Sequence, residues 1–387
     1  MNILIAPDSF KGSVTAKEAA RAMKQGIHNV KPDARVQIVP MADGGEGTMV
    51  SLVEATDGSI YETEVQDPLG RKITGHYGVS GDSKTAFIEL ASASGLDKLE
   101  KGELDPRMAS TYGTGQLISH ALKQGLRRFI ICLGGSATND GGSGLLKALG
   151  FRFLDAKGQE LEPGGLALEK VASVDDSDVD PGVRESVFQV ACDVNNPLIG
   201  PNGASAVFGP QKGATPEMVR QLDSALSVFA DCVERETGFS VHEYPGAGAA
   251  GGTAAGLLAL LKADLKPGFR LVTEAVHLEG YLENNHYDLL LTGEGKLDSQ
   301  TASGKVVAGL AEVAKRHRMP VVALAGATEG DLSPMYEKGL TAAFSITDGP
   351  MSLEEAMENG SFLIERQTEQ ILRVFLRRPQ DAANAPI

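Results

Sequence analysis

Tryptophan is absent, and aromatic residues make up only 5% of the 387 positions. The stacking platforms that single-stranded nucleic acid needs are therefore scarce. Positive charge is also in deficit: 36 Lys and Arg face 51 Asp and Glu, for a formal net charge of −15. Such a chain is repelled by nucleic acid and by anionic membranes, so neither is expected as a partner. An anionic ligand then needs locally placed cations or a metal ion. The three cysteines, Cys132, Cys192 and Cys232, form no Cys-x-x-Cys pair, which argues against a zinc knuckle and a disulfide framework. The seven histidines show no His-x-His or His-x-x-x-His spacing, so no transition-metal cluster is expected. No apolar run approaches the ~18 residues of a membrane span. The chain opens on Asn2-Ile3-Leu4-Ile5-Ala6-Pro7, strand-like rather than a signal segment. A cytoplasmic location is expected, and self-association into a homo-oligomer is left open.

Glycine is what the chain has in excess. There are 46 among 387 residues, about 12%, against a usual ~7%. They gather in short blocks at the ends of apolar runs, a distribution that favours tight turns and ligand loops over disorder. The densest block is Gly134-Gly135-Ser136-Ala137-Thr138-Asn139-Asp140-Gly141-Gly142-Ser143-Gly144. The apolar Phe129-Ile130-Ile131-Cys132-Leu133 precedes it and a second apolar run follows. Strand, glycine turn and helix start together aim backbone N–H groups at an anion. Thr138, Asn139 and Asp140 add side chains suited to phosphate oxygens or a hard cation.

The periodicity along the chain predicts a discontinuous α/β architecture. Residues 2–6 read as a buried strand and 15–29 as an amphipathic helix, with Thr15 and Glu18 spaced as a capping box. A strand over 35–39 and a helix over 48–55 complete a β-α-β-α opening, the signature of a parallel sheet. Residues 59–66, 71–79 and 84–90 instead alternate with period two, as in a mixed or antiparallel sheet. Helices are expected near 113–124, 143–149, 216–237 and 250–262. Parallel-sheet logic resumes with strands at 287–291, 320–325 and 341–346, a helix over 304–317 and one long helix over 353–376. This pattern predicts one α/β domain formed by 1–60 plus 266–387, with a second α/β domain of mixed sheet inserted at 61–265. The Pro- and Ala-containing tail after 376 reads as loosely held.

Four further blocks carry candidate chemistry. Ala6-Pro7-Asp8-Ser9-Phe10-Lys11 ends the first strand, where an open α/β sheet usually binds its ligand. Asp8 is suited to a metal or a donor there, and Lys11 to a phosphate or carboxylate; the plainer alternative is a turn with a solvated lysine. Asp43-Gly44-Gly45-Glu46-Gly47 ends the second strand with two carboxylates among glycines, serving either a cleft or the next helix start. Asp193 and Asn195 fall on one side of an extended segment after 187–191, as a general base and hydroxyl-binding pair or as an Asx turn before Pro197. Glu294, Lys296, Asp298 and Lys305 bring carboxylates for Mg²⁺ and ammonium groups for phosphates to the end of another strand, the parts a phosphoryl-transfer site needs. A P-loop is excluded, because the glycine it requires five residues before Gly304 is Ser299. Gly246-Ala247-Gly248-Ala249-Ala250-Gly251 matches a dinucleotide fingerprint only weakly. The strand before it is poor and the expected acidic residue ~20 positions on is missing.

Taken in order, the blocks at 6–13 (APDSFKGS), 40–48 (PMADGGEGT), 134–144, 193–200 (DVNNPLIG), 203–214 (GASAVFGPQKGA), 245–252 (PGAGAAGG) and 293–305 (GEGKLDSQTASGK) resemble the glycerate kinase family, which includes bacterial glycerate 2-kinases. The resemblance covers nearly the whole chain. It implies ATP-dependent phosphorylation of D-glycerate, a Mg²⁺ requirement, and two α/β domains, one Rossmann-like, with the active site in the cleft between them. On that reading Gly134, Gly135, Ser136, Thr138, Asn139, Gly141 and Gly142 hold the nucleotide phosphates. Asp43, Glu46, Glu294 and Asp298 are the candidate metal ligands, and Asp8, Ser9 and Asn195 bind substrate. Asp193 accepts the hydroxyl proton, Lys11 meets the substrate carboxylate, and Lys296 or Lys305 offsets developing charge. Two other readings stay open at this level: a kinase giving 3-phosphoglycerate or acting on another hydroxy acid, and a two-domain protein that binds a small anion without turnover.

Overall fold

The computed structural model describes residues 1–45, 47–298, 301 and 305–377. Its strands in chain order are β1 (Asn2–Ile5), β2 (Arg35–Ile38), β3 (Ser59–Gln66), β4 (Lys72–Val79), β5 (Thr85–Glu89), β6 (Arg128–Cys132) and β7 (Arg152–Leu154). They continue with β8 (Ser173–Asp175), β9 (Val187–Ala191), β10 (Asp264–Lys266), β11 (Leu289–Leu297), β12 (Val321–Thr328) and β13 (Ala342–Ser345). The chain divides into two compact units, Met1–Asp43 with Val272–Ile387, and Gly44–Leu271.

The first unit is built on a five-stranded sheet in the order β13-β12-β11-β1-β2, parallel at every pairing. Fully buried parallel strands read as continuous apolar runs, and Ile3-Leu4-Ile5 and Leu289-Leu290-Leu291 are such runs. The helix Ala16–Val30 starts at Thr15, whose side chain accepts the Glu18 amide at 3.2 Å while the Glu18 carboxylate accepts the Thr15 amide at 2.9 Å. The capping box expected from the sequence is thus formed. That helix lies against Gly360–Leu376, with Met23, Ile27, Leu363, Ile364 and Leu372 in the shared core. Gly26 allows the contact: a Cβ there would stand 2.4 Å from the Glu365 carbonyl oxygen.

The second unit carries a six-stranded mixed sheet in the order β10-β9-β6-β5-β4-β3, plus the small antiparallel hairpin β7-β8. β5, β6, β9 and β10 run parallel, whereas β3, β4 and β5 pair antiparallel. Its core gathers Tyr77, Phe129, Phe153, Leu226 and Phe229 with the helices Pro216–Thr237 and Thr253–Leu261. Cys132, Cys192 and Cys232 form no disulfide. Among the described residues no helix is long and apolar enough to cross a membrane.

The discontinuous α/β organisation follows the expectation, but its details differ. The first division falls at Asp43/Gly44 rather than at 60/61, because the helix Thr48–Ala55 packs on β3, β4 and β5. The second falls at Leu271/Val272 rather than at 265/266. The expected helix over 353–376 is two, Leu353–Glu358 and Gly360–Leu376. At the break the Ser13 hydroxyl donates to the Met357 carbonyl at 2.5 Å, and a Cβ on Gly360 would stand 2.3 Å from that same hydroxyl. Most of the expected tail lies outside the described residues.

Candidate active site

In the first unit, the chain leaves β1 toward β2 on one side, while β11 flanks β1 on the other. A reversal of strand order of this kind opens a crevice beyond the carboxyl ends of the strands, where α/β proteins bind ligands. Asp8 lies just past β1, held there by its amide donating to the Gly293 carbonyl at 2.8 Å. Asp43 lies past β2. Glu294 lies within β11, which runs on to Leu297 and does not stop at Leu291 as expected. Gly293 permits that continuation, since a Cβ would stand 2.4 Å from the Leu324 carbonyl oxygen on the adjoining strand.

These carboxylates sit close enough to perturb one another. Burial first, and then the charges of Asp43 and Glu294, push Asp8 up to about 7, although the side chain keeps some exposed surface. The Ser9 amide, 2.6 Å from Asp8 Oδ1, pulls in the opposite direction. Glu294 is buried and is likewise pushed up to about 7, mainly by burial, with Asp43 and Asp298 adding to the effect. The Thr301 hydroxyl, donating to Glu294 Oε1 at 2.8 Å, and the Lys305 charge partly oppose that shift. Among the described residues no three His, Cys, Asp or Glu gather into a full metal-binding group. Glu46 lies outside the described residues.

The lysines divide. Lys296 is half-exposed and pairs with Glu329 at 2.8 Å and Asp298 at 3.7 Å, so its charge is already engaged. Lys305 is exposed at the N-terminus of the helix Val306–Arg316, and its charge reaches Glu294. Lys11 is also exposed, and its amide stands 3.2 Å from the position a Cβ on Gly295 would take.

In the second unit, Asp193 is exposed at the end of β9, and its Oδ1 accepts the Gly268 amide at 2.9 Å. Asn195 is exposed two residues on, in the same irregular segment. Gly44 lies against this segment: a Cβ there would stand 2.8 Å from Gly268 Cα and 3.7 Å from Asp193 Oδ2.

The loop at 134–144 departs most from its expected form. Only Gly134 and Gly135 reach the surface, and Thr138, Asn139 and Asp140 are fully buried. The Asp140 carboxylate accepts the Thr111 amide and hydroxyl at 2.8 Å each, and the amides of Gly142 and Gly144 at 3.2 Å each. The Gly141 amide donates to Gly251 and the Leu145 amide to the Thr111 hydroxyl. The amides of Gly141 and Gly142 are therefore engaged inside the protein, which corrects their expected part in an anion cradle. Asp140 instead accepts amides at the start of the helix Ser143–Ala148 from within. Burial pushes its carboxyl upward, and its four donors oppose that shift. The amides of Gly134, Gly135, Ser136, Thr138 and Asn139 have no hydrogen-bond acceptor among the described residues.

Two features here escaped the sequence reading. Lys212 is fully buried, and its ammonium donates to Ser136 Oγ at 2.8 Å and to the Thr138 carbonyl at 2.6 Å. Desolvation lowers it to about 7, with the Asp140 charge acting the other way. The one available signal was a lysine between glycines in Gly209-Pro210-Gln211-Lys212-Gly213, where a surface role reads as easily. The second feature is the packing of the weak dinucleotide-like block on this loop. A Cβ on Gly251 would stand 2.1 Å from the Thr138 carbonyl oxygen, and one on Gly248 2.2 Å from the Pro197 carbonyl oxygen. Its glycines serve close backbone approach.

Comparison with known proteins gives the same family. The model of the glycerate kinase family matches residues 3–376. A glycerate kinase of Bacillus subtilis is 48% identical over 371 residues, covering 96% of this chain and 97% of that protein. The glycerate 2-kinase of Escherichia coli is 44% identical, with coverage of 96% and 97%. A crystal structure of a protein assigned as glycerate kinase 2 from Salmonella typhimurium LT2 superimposes with a TM-score of 0.90 at 45% identity, covering 100% of both chains. With a family match that spans both units and relatives matched end to end, the chain belongs to the glycerate kinase family.

Proposed function

We propose that this protein is an ATP-dependent kinase that phosphorylates D-glycerate at the 2-hydroxyl, giving 2-phosphoglycerate and ADP. The observation that carries the reading is the family match over residues 3–376. The E. coli relative named glycerate 2-kinase, at 44% identity, favours the 2-hydroxyl.

The free amides of Gly134 and Gly135, the part of the loop that reaches the surface, receive nucleotide phosphates, since backbone N–H groups at a glycine-rich turn offer fixed positive dipoles. Lys305 offsets charge on the transferred group, whereas Lys296 stays in its ion pairs with Glu329 and Asp298. Lys11 and Ser9 meet the glycerate carboxylate. Asn195 holds the hydroxyl, and Asp193, oriented by the Gly268 amide, accepts its proton.

The family implies Mg²⁺, which usually takes one or two carboxylates and otherwise keeps water and phosphate oxygens. One or two of Asp8, Asp43 and Glu294 suit that role: burial, and then neighbouring carboxylate charge, raise Asp8 and Glu294, and a divalent cation would offset both. Asp298 stands beside them as a further candidate. Bound there, the ion neutralises phosphate charge.

Incubation with MgATP and D-glycerate tests the proposal. Glycerate-dependent ADP release is expected, with a product that enolase consumes directly. A product that enolase consumes only after a mutase is added would reassign the transfer to the 3-hydroxyl. Without glycerate-dependent ADP release, the kinase reading fails.

A further inference from the structure

The segment 203–214 grips the inner side of the glycine-rich loop at two points. Ser205 accepts the Asn139 side-chain amide at 3.0 Å, and Lys212 donates to Ser136 Oγ and the Thr138 carbonyl. Gly213 fixes where that lysine sits, with φ +92 and a would-be Cβ only 2.4 Å from the Leu104 carbonyl oxygen. A buried ammonium is an unusual choice for a purely structural tie. An apolar side chain of similar length would fill the space without desolvating a charge, and such replacements are often neutral or stabilising. The loop also keeps unmet polar capacity: Thr138 Oγ1 and Asn139 Oδ1 are buried without a partner among the described residues.

We infer that Lys212 is the positioning residue of the nucleotide-phosphate loop: its ammonium ties Ser136 to Thr138 and so presets the neighbouring exposed amides of Gly134 and Gly135 for an anion. The inference rests on the nucleotide role proposed for this loop. Lys212 itself touches no ligand, being fully buried. It acts by holding the turn whose amides do, and its positive charge adds to the potential those amides present.

Three variants separate the possibilities. Lys212→Met keeps the stem and removes the ammonium, Ser136→Ala removes one tether, and Gly135→Val alters the exposed tip of the loop directly. Lys212→Met is expected to raise the KM for ATP and the calorimetric Kd for MgADP by about tenfold or more, because small misplacements of binding groups have large effects. The KM for glycerate is expected to stay within about twofold, and Ser136→Ala to shift the nucleotide constants by about threefold, non-additively with Lys212→Met. A merely structural lysine would lower the active fraction and leave both KM values in place; that result overturns the inference. If Lys212→Met does not fold, Ser136→Ala decides, and an unchanged KM for ATP overturns it. If Gly135→Val raises the KM for ATP while Lys212→Met and Ser136→Ala do not, the loop reading stands and the Lys212 inference falls. If none of the three moves it, the nucleotide role of the loop falls, and the inference with it.

Discussion

Asp8 and Glu294 in one unit and Asp140 in the other are all carboxylates that the sequence places after apolar strand segments, yet the protein treats them differently. The Asp8 carboxylate accepts from Ser9 and that of Glu294 from the Thr301 hydroxyl, and both sit near further carboxylates. Asp140 has four donor contacts and a buried lysine for company. The first arrangement leaves negative charge under-compensated and ready for a cation or a donor. The second consumes the charge in holding a loop. The difference separates carboxylates left open to a cation or donor from one that belongs to the framework.

Substitutions can break this contrast, and the largest effect is expected at the exposed strand-end carboxylate Asp193. Asp193→Asn should lower kcat by about a hundredfold or more, within the range of general-base catalysis, with little change in ATP affinity. Steady-state kinetics checks it, and near-normal turnover removes Asp193 from the role. Asp140→Ala comes next, and its effect falls on stability. Stranding buried donors costs about 1–3 kcal/mol each, so a loss of about 3–5 kcal/mol in urea unfolding is expected. A loss below about 1 kcal/mol would mean that Asp140 is not the framework residue described here.

Asp8→Asn should act in the opposite sense, stabilising the ligand-free protein near pH 8 by about 1–2 kcal/mol while impairing catalysis. Its carboxyl and that of Glu294 are raised to about 7, so between about pH 4 and 7 the folded state binds more protons than the unfolded one. The stability they contribute is full below about pH 4 and is lost as pH rises through about 7. Thermal unfolding across that window should show the decline in the parent and a flatter profile in Asp8→Asn. The smallest effect concerns the cation: MgCl₂ alone should raise the melting temperature at pH 8 by more than at pH 6, because protonated carboxyls bind it poorly. Equal shifts at both pH values would detach Mg²⁺ from these residues.

The elements were legible where local pattern decides them. The Thr15–Glu18 capping box, the helix Pro216–Thr237 and the alternating strands β3 to β5 stand as expected, because caps and periodicities involve residues a few positions apart. What went unread depends on distant partners. The helix at 353–376 breaks where Ser13, 344 residues away, bonds to Met357. The first boundary lies at Asp43 because the helix Thr48–Ala55 finds its apolar partner in β3 to β5, and no composition shift marks that choice.

The candidate site divides along the same line. By itself the sequence determined that glycine blocks with carboxylates and lysines follow apolar runs, and hence that Asp8 and Asp43 lie past strand ends of a parallel sheet; Glu294, expected there too, lies within β11. Its ordered motifs also pointed to the glycerate kinase family. Only the tertiary structure decided which of these groups stay available. It turned Asp140 inward to donors from Thr111, 29 residues away, and brought Lys212 to Ser136, 76 residues away. It also engaged Lys296 with Glu329. Local pattern fixes where a charged group lies along a strand or turn, but burial and the partners supplied by distant segments set its charge state and its freedom to act.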